Sequence, residues 1–225
     1  MGKVIFVTGR PGVGKTTVFL QAIDSLELRG VAVGGFVSRE VRVGNIRVGF
    51  EIMDLQSRRK GWLAHVDQPD GPRVGRYRVN VKDLTEIGVG AIRRAVTDEK
   101  VGIIAVDEIG PMELTSSDFV RVIDDIVASS KAFLATVHFR DKDRILSTFR
   151  LEIRPILIEV TVENRATIYG KIVEAIVGSA KTTSPVLGVK CEGIRGFHAR
   201  TVGRLTGVFF PVFLSSSRTS LLRFG

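Results

Sequence analysis

Cysteine is almost absent: Cys191 is the only one in 225 residues. That excludes an internal disulfide and a metal cluster built from cysteines. Long apolar runs are missing as well. No stretch approaches the ~18 residues of a membrane span. The four apolar residues Val4–Val7 that follow Lys3 are too few for a secretory leader. Together these absences predict a cytoplasmic protein. Asn and Gln are scarce, at three each, beside three Met. Such residues degrade when hot, so the composition indicates a heat-adapted source. Acidic residues nearly vanish after residue 178. There Lys181, Lys190, Arg195, Arg200, Arg204, Arg218 and Arg223 face Glu192 alone, a net +6 out of +9 for the chain. The rest carries little excess charge, so a nucleic-acid patch spread over it is not supported; any such contact belongs to the tail.

What is present is a phosphate loop. Gly9-Arg10-Pro11-Gly12-Val13-Gly14-Lys15-Thr16 matches G-x-x-x-x-G-K-[ST] in full. Before it, Lys3–Thr8 is an apolar, β-branched run suited to a buried parallel strand. After it, Phe19, Ala22, Ile23 and Leu26 recur at helical spacing until Gly30. Strand, glycine loop and helix in this order form a cradle for phosphate, because backbone N–H groups converge and the helix N-terminus adds positive potential. Lys15 can then reach the β- and γ-phosphates, and the Thr16 hydroxyl can ligate Mg²⁺.

Along the rest of the chain, Val31–Leu55 reads as strands, with Val41 and Val43, then Ile46, Val48, Phe50 and Ile52, alternating across the turn dipeptide Gly44-Asn45. Residues 56–76 carry Arg58-Arg59-Lys60 and the cluster Pro69-Asp70-Gly71-Pro72, which predicts a loop. Tyr77–Val81 reads as a short strand, and a helix is expected from Lys82 through Ala95. Strands are expected at Val101–Val106, Ala132–Phe139 and Ile156–Val162, and helices from Ser117, over Arg144–Phe149 and over Arg165–Val177. Alternating strands and helices predict an α/β domain with a largely parallel sheet, to which the hairpin is an antiparallel addition.

The Val101–Val106 strand ends in Asp107-Glu108-Ile109-Gly110. In a doubly wound sheet, ligands sit at the carboxyl ends of strands, so Asp107 and Lys15 are expected to converge. Asp107 would hold Mg²⁺ with Thr16. Glu108 could orient and deprotonate a water for in-line attack on the γ-phosphorus, which favours hydrolysis over transfer. The same four residues match the D-x-x-G of regulatory GTPases, but Pro111 follows and no Asn-Lys-x-Asp segment exists. Loose base selectivity is the expectation.

Gly9–Thr17 (GRPGVGKTT), the segment Gly35–Arg42, Val74–Tyr77, Asp107–Leu114 (DEIGPMEL) and Thr161–Arg165 together resemble the thermophile nucleoside-triphosphatase family. That family includes the human cancer-related nucleoside triphosphatase. The resemblance covers about residues 1–178. It implies a RecA-like P-loop fold, a three-layer sandwich on a mostly parallel sheet. It also implies slow, Mg²⁺-dependent hydrolysis of several nucleoside triphosphates, ATP and GTP among them. Nucleotide contacts would run along Gly9, Arg10, Pro11, Gly12, Val13, Gly14, Lys15, Thr16 and Thr17, and along Asp107, Glu108, Ile109 and Gly110.

Further candidates are less specific. His138 or Thr136 could sense the γ-phosphate or be a buried, bonded polar residue. Arg140, Arg150 and Arg165 are candidate charge stabilisers. Asn164 could cap the last helix or touch the nucleobase. His65 receives no role. Two alternatives to hydrolysis stand open: a P-loop kinase acting on a nucleotide or RNA end, and a nucleotide-dependent nucleic-acid-binding module.

The chain therefore divides into a P-loop domain, 1–178, and a basic extension, 179–225. Since every proposed phosphate, metal and base residue precedes residue 179, truncation after Gly178 should leave an active hydrolase. It should mainly reduce salt-sensitive retention on RNA. Turnover, melting temperature and low-salt RNA retention of both lengths test this; loss of turnover in a folded truncation would refute the boundary.

Overall fold

The structure, a computed structural model, describes residues 2–149 and 154–178. Arg150 and the expected extension 179–225, with Cys191, lie outside the described residues. Nine strands form one sheet in the order β5-β6-β4-β3-β2-β7-β8-β1-β9. The parallel half holds β1 (Val4–Thr8), β2 (Ala32–Val43), β7 (Val101–Ile109), β8 (Ala132–Val137) and β9 (Ile156–Glu159). An antiparallel half adds β3 (Ile46–Asp54), β4 (Lys60–His65), β5 (Arg73–Val74) and β6 (Tyr77–Val79).

Side chains alternate across the middle of the parallel strands, since a strand has a period of two. Ile5, Val7, Ile103, Ala105 and Leu134 pack on α1 (Lys15–Glu27) and, at the chain's end, α6 (Ile168–Val177). Val4, Phe6, Ile104, Val106, Phe133 and Ala135 pack on the opposite layer. That layer is a continuous helical segment, α2 (Val81–Asp83), a π-helical stretch (Leu84–Val89) and α3 (Gly90–Thr97), joined by α4 (Ser117–Ala128) and α5 (Lys142–Thr148). Both sheet faces are covered, as nearly unbroken apolar strands require. This is the three-layer P-loop arrangement, parallel in its core, that the resemblance implied.

The described elements correct the sequence reading in four places. The stretch 56–76 is not a single loop. Asp54, 1% exposed, accepts hydrogen bonds from the Gln56 and Ser57 amides at 2.9 and 3.3 Å, from Ser57 Oγ at 2.5 Å and from Arg94 at 2.8 Å. These bonds organise a turn in which Arg58 is left-handed (φ 61°), after which β4 pairs with β3 and buries Leu63 and Ala64. The charged run Arg58–Lys60 is thus the turn and the first strand residue. β8 stops at Val137, and the His138 amide donates to the Ile109 carbonyl one step beyond it. β9 ends at Glu159 rather than Val162, and α6 starts at Ile168 rather than Arg165. Asn164 explains both: its side chain accepts from the Thr161 amide and donates to the Glu159 carbonyl, each at 2.9 Å, holding residues 160–167 in turns. It therefore locks this connection instead of capping α6, whose N-cap is Thr167.

Burial by itself would push the Asp54 carboxyl up, but the bonds from Ser57, Gln56 and Arg94 outweigh it and hold the group below its ordinary value. Its stabilisation is complete above the ordinary carboxylate value and is lost as pH falls through the depressed one. Asp54→Ala should lower unfolding free energy at neutral pH by about 1–2 kcal/mol, because it removes the acceptor that organises the turn. Urea denaturation checks this, and an unchanged midpoint would refute the role of Asp54 in the turn.

Candidate active site

The site begins where β1 turns into α1. Gly9 cannot carry a side chain, because a Cβ there would stand 2.5 Å from the Val160 carbonyl oxygen. Gly14, the N-cap of α1, has φ 107°, a backbone state that glycine alone enters without strain. No side chain caps α1 and no acid occupies its first turn. The amides that a helix N-terminus leaves unpaired are therefore kept for an anion.

The partner carboxylates come from β7. Asp107 follows Val106 in the alternation, so it faces the α1 side of the sheet, opposite Val37 in the neighbouring strand. Its side chain is 1% exposed. Thr136, fully buried on adjacent β8, donates its hydroxyl to Oδ1. Oδ2 is buried with no well-formed hydrogen bond. Burial raises the Asp107 carboxyl to about 6, and Glu108 adds to the rise; the Thr136 and Thr16 hydroxyls and Lys15 oppose it. A buried acid oxygen left unpaired beside a threonine hydroxyl is the donor set expected for a hard divalent cation. Among the described residues no group of three or more His, Cys, Asp or Glu could hold a metal alone. Such a cation would be shared with phosphate oxygens, the usual pattern for Mg²⁺.

Glu108 reaches from the next position toward Lys15. Its Oε2 lies 3.4 Å from Lys15 Nζ, which also donates to the Gly9 carbonyl at 3.2 Å. Lys15, Thr16, Asp107 and Glu108 thus line one cleft of about 380 Å³, together with Pro11, Gly12 and Gly110. A second cleft, about 320 Å³, lies at the other flank of the loop and is lined by Arg10, Val13 and Glu159–Glu163.

Not every expected residue converges on the first cleft. Ile109 is fully buried and turned into the core of the opposite layer, so only its backbone is near. Thr17 is exposed on the first turn of α1. His138 lines the cleft with Nδ1 2.7 Å from Asp141. Thr136 reaches Asp107 and is absent from the cleft wall. Among the arginines, Arg165 leans against the loop, its Cδ 3.8 Å from the Cβ position of Gly14, whereas Arg140 is exposed away from the cleft. Arg150 lies outside the described residues.

Sequence reading missed Glu113. It sits in a single 3₁₀ turn (Glu113–Thr115), 4% exposed, and its Oε2 accepts the Gly110 amide at 3.0 Å. The spacing Gly110–Glu113 is the one signal that could have found it. Also unforeseen were the contributions to the cleft wall of the far end of β2, Ser38 and Glu40, and of the antiparallel half, Arg47, Phe50, Leu63 and Val74.

Burial lifts the Glu113 carboxyl to about 8, helped by the charges of Glu108 and Asp107. The unfolded chain releases this proton near 4.5 and the folded protein keeps it to about 8, so folding becomes costlier as pH rises between those values. Glu113→Gln, which still accepts from Gly110 but cannot ionise, should gain stability relative to the parent as pH rises from 5 to 8. The gain should reach on the order of 1–3 kcal/mol. Urea unfolding of both proteins across that range decides it, and a pH-independent difference would refute the buried-acid assignment.

Comparison with known proteins places this chain in a family. The NTPase family model matches residues 4–173. Nucleoside-triphosphatase THEP1 of Thermofilum pendens is 49% identical over 139 residues, 62% of this chain and 75% of that protein. Nucleoside-triphosphatase THEP1 of Methanothermobacter thermautotrophicus is 42% identical over 172 residues, 76% of this chain and 95% of that protein. The crystal structure of THEP1 from the hyperthermophile Aquifex aeolicus superposes with TM-score 0.64 at 32% identity, covering 76% of this chain and 98% of that one. The solution structure of a human cancer-related nucleoside triphosphatase gives TM-score 0.64 at 29% identity, over 80% and 100%.

Proposed function

Because the chain belongs to the NTPase family and is a nucleoside-triphosphatase, we propose that Lys15 and the loop amides hold the triphosphate, that Glu108 is the general base, and that Thr16 and Asp107 hold Mg²⁺. The observation that carries this reading is the shared cleft: the lysine, the orphaned buried carboxylate and a second, partly exposed carboxylate meet at one helix N-terminus.

Two flanking clefts give the nucleotide a direction. With the γ-phosphate at Lys15 and Glu108, the nucleoside end runs along the loop toward Arg10 and Glu159–Glu163. The γ-phosphate takes the place of Glu108 as the partner of Lys15, which frees Glu108 Oε2 to accept a proton. A water held by that carboxylate attacks the γ-phosphorus in line, its proton passes to Glu108, and the bridging oxygen leaves with the nucleoside diphosphate. Lys15 and the loop amides bear the charge that develops on the transferred group. When bound, Mg²⁺ neutralises phosphate charge. Thr136 fixes the Asp107 carboxylate, and Arg165, beside Gly14, is the arginine placed to add charge at the loop. Broad selectivity for ATP, GTP and other bases agrees with the lack of an Asn-Lys-x-Asp segment. A cytoplasmic setting agrees with the single cysteine and with the absence, among the described residues, of any helix long and apolar enough to cross a membrane.

Glu108→Gln should bind Mg²⁺–NTP nearly as tightly as the parent while losing on the order of 10²–10⁴ in kcat. Lys15→Ala should abolish turnover. Phosphate release with and without Mg²⁺, beside fluorescent-nucleotide binding, separates these roles; equal losses in binding and rate for Glu108→Gln would point to a structural role instead.

A further inference from the structure

The cleft in front of Lys15 is about 380 Å³, within the range that houses a small-molecule ligand, and the γ-phosphate with its attacking water takes up only its inner end, beside Lys15 and Glu108. The nucleoside of the substrate does not fill it, because that end of the triphosphate points to the opposite flank of the loop. Its outer wall is also built from different material. Phe50, Leu63 and Val74 come from the antiparallel half, and Met112 from the turn after β7. The Phe50 ring is only half buried, held edge-on by Tyr77 at 5.3 Å, with the Arg47 guanidinium 5.6 Å from its centre. Glu40 pins Arg47 at 2.5 Å, and Ser38 adds a hydroxyl to the rim. An aromatic face with aliphatic neighbours and a few polar groups at the edge suits a planar ring bearing hydroxyls.

We propose that this outer compartment is an acceptor site for a small alcohol with a planar ring, of the nucleoside type, and that the enzyme passes the γ-phosphoryl to its hydroxyl as well as to water. The inference rests on the proposed roles of Lys15 and Glu108. The acceptor oxygen forms a bond to the γ-phosphorus as the bond from that phosphorus to the bridging oxygen breaks. The electron pair leaves with the nucleoside diphosphate, and the hydroxyl proton goes to Glu108 and then to solvent. A bound acceptor also displaces the attacking water, so its phosphorylation comes at the expense of hydrolysis.

The test uses full-length protein, Mg²⁺ and ATP labelled in the γ-phosphate. Separate reactions contain adenosine, guanosine, cytidine, uridine or thymidine, and a second arm contains riboflavin, thiamine or pyridoxine, which distinguishes nucleosides from other planar-ring alcohols. The expected result is a labelled acceptor phosphate in at least one reaction, with inorganic phosphate release falling as it accumulates. Phe50→Ala, and Val74→Arg from the same outer wall, should each lower the ratio of acceptor phosphate to inorganic phosphate about tenfold or more. Both products arise from the same folded molecules, so a partly unfolded variant loses them in proportion and leaves the ratio intact. Normal phosphate release with no labelled acceptor in either arm overturns the proposal, as does an unchanged ratio in both variants. Absence of phosphate release from the parent without acceptor would overturn the hydrolytic roles of Lys15 and Glu108, and this inference with them.

Discussion

Three carboxylates within seven residues, Asp107, Glu108 and Glu113, share one cleft whose single ammonium group is that of Lys15. Two of the three are almost fully buried. Burying like charges together is expensive unless they are paired or neutralised. The protein resolves this differently for each: Glu113 keeps its proton, Glu108 leans on Lys15, and Asp107 is held half-satisfied by Thr136. The cleft is thus short of positive charge while α1 offers uncapped amides at its mouth. A triphosphate with a cation supplies both deficits at once.

That balance depends on the sheet. Asp107 faces Lys15 and Thr16 because it continues the face of β7 that Ile103 and Ala105 turn toward α1. Thr136 reaches Asp107 because β8 stands beside β7 and presents the same face. β8 also separates the carboxylate strand from the phosphate-loop strand, which sets the width of the cleft between them. A one-residue slip of β7 would send the carboxylate into the opposite core.

The antiparallel half gives the site its front wall. It carries none of the proposed phosphate-binding residues, yet Arg47, Phe50, Leu63 and Val74, with Ser38 from β2, enclose the space ahead of the proposed base. Its attachment is local and strong: Asp54 ties the β3–β4 turn to α3 through Arg94, so this wall is braced against the layer that covers the parallel strands.

The amino-acid sequence by itself determined the phosphate loop, the strand that carries Asp107 and Glu108, the helix and strand alternation, and the family. Each rests on local grammar, glycine spacing or hydrophobic period, that needs no distant partner. Glu108 was legible from its place after Asp107, and the rule that ligands gather at strand ends brought Asp107 and Lys15 together; the contact between Lys15 and Glu108 is seen only in the structure. Other features were decided by tertiary structure alone. β4 hid behind Arg58–Lys60 because its pairing comes from β3 and its turn from Asp54, not from its own composition. Ile109 sits within the carboxylate motif, yet the bulge between Val106 and Ile109 turns it into the core. Asn164 serves the turn rather than the helix: it bonds back to Thr161 and to Glu159, the last residue of the strand that pairs with β1. Glu113 and the front wall owe their places to chain segments brought together by the sheet, and a linear pattern carries no record of what lies across a cleft.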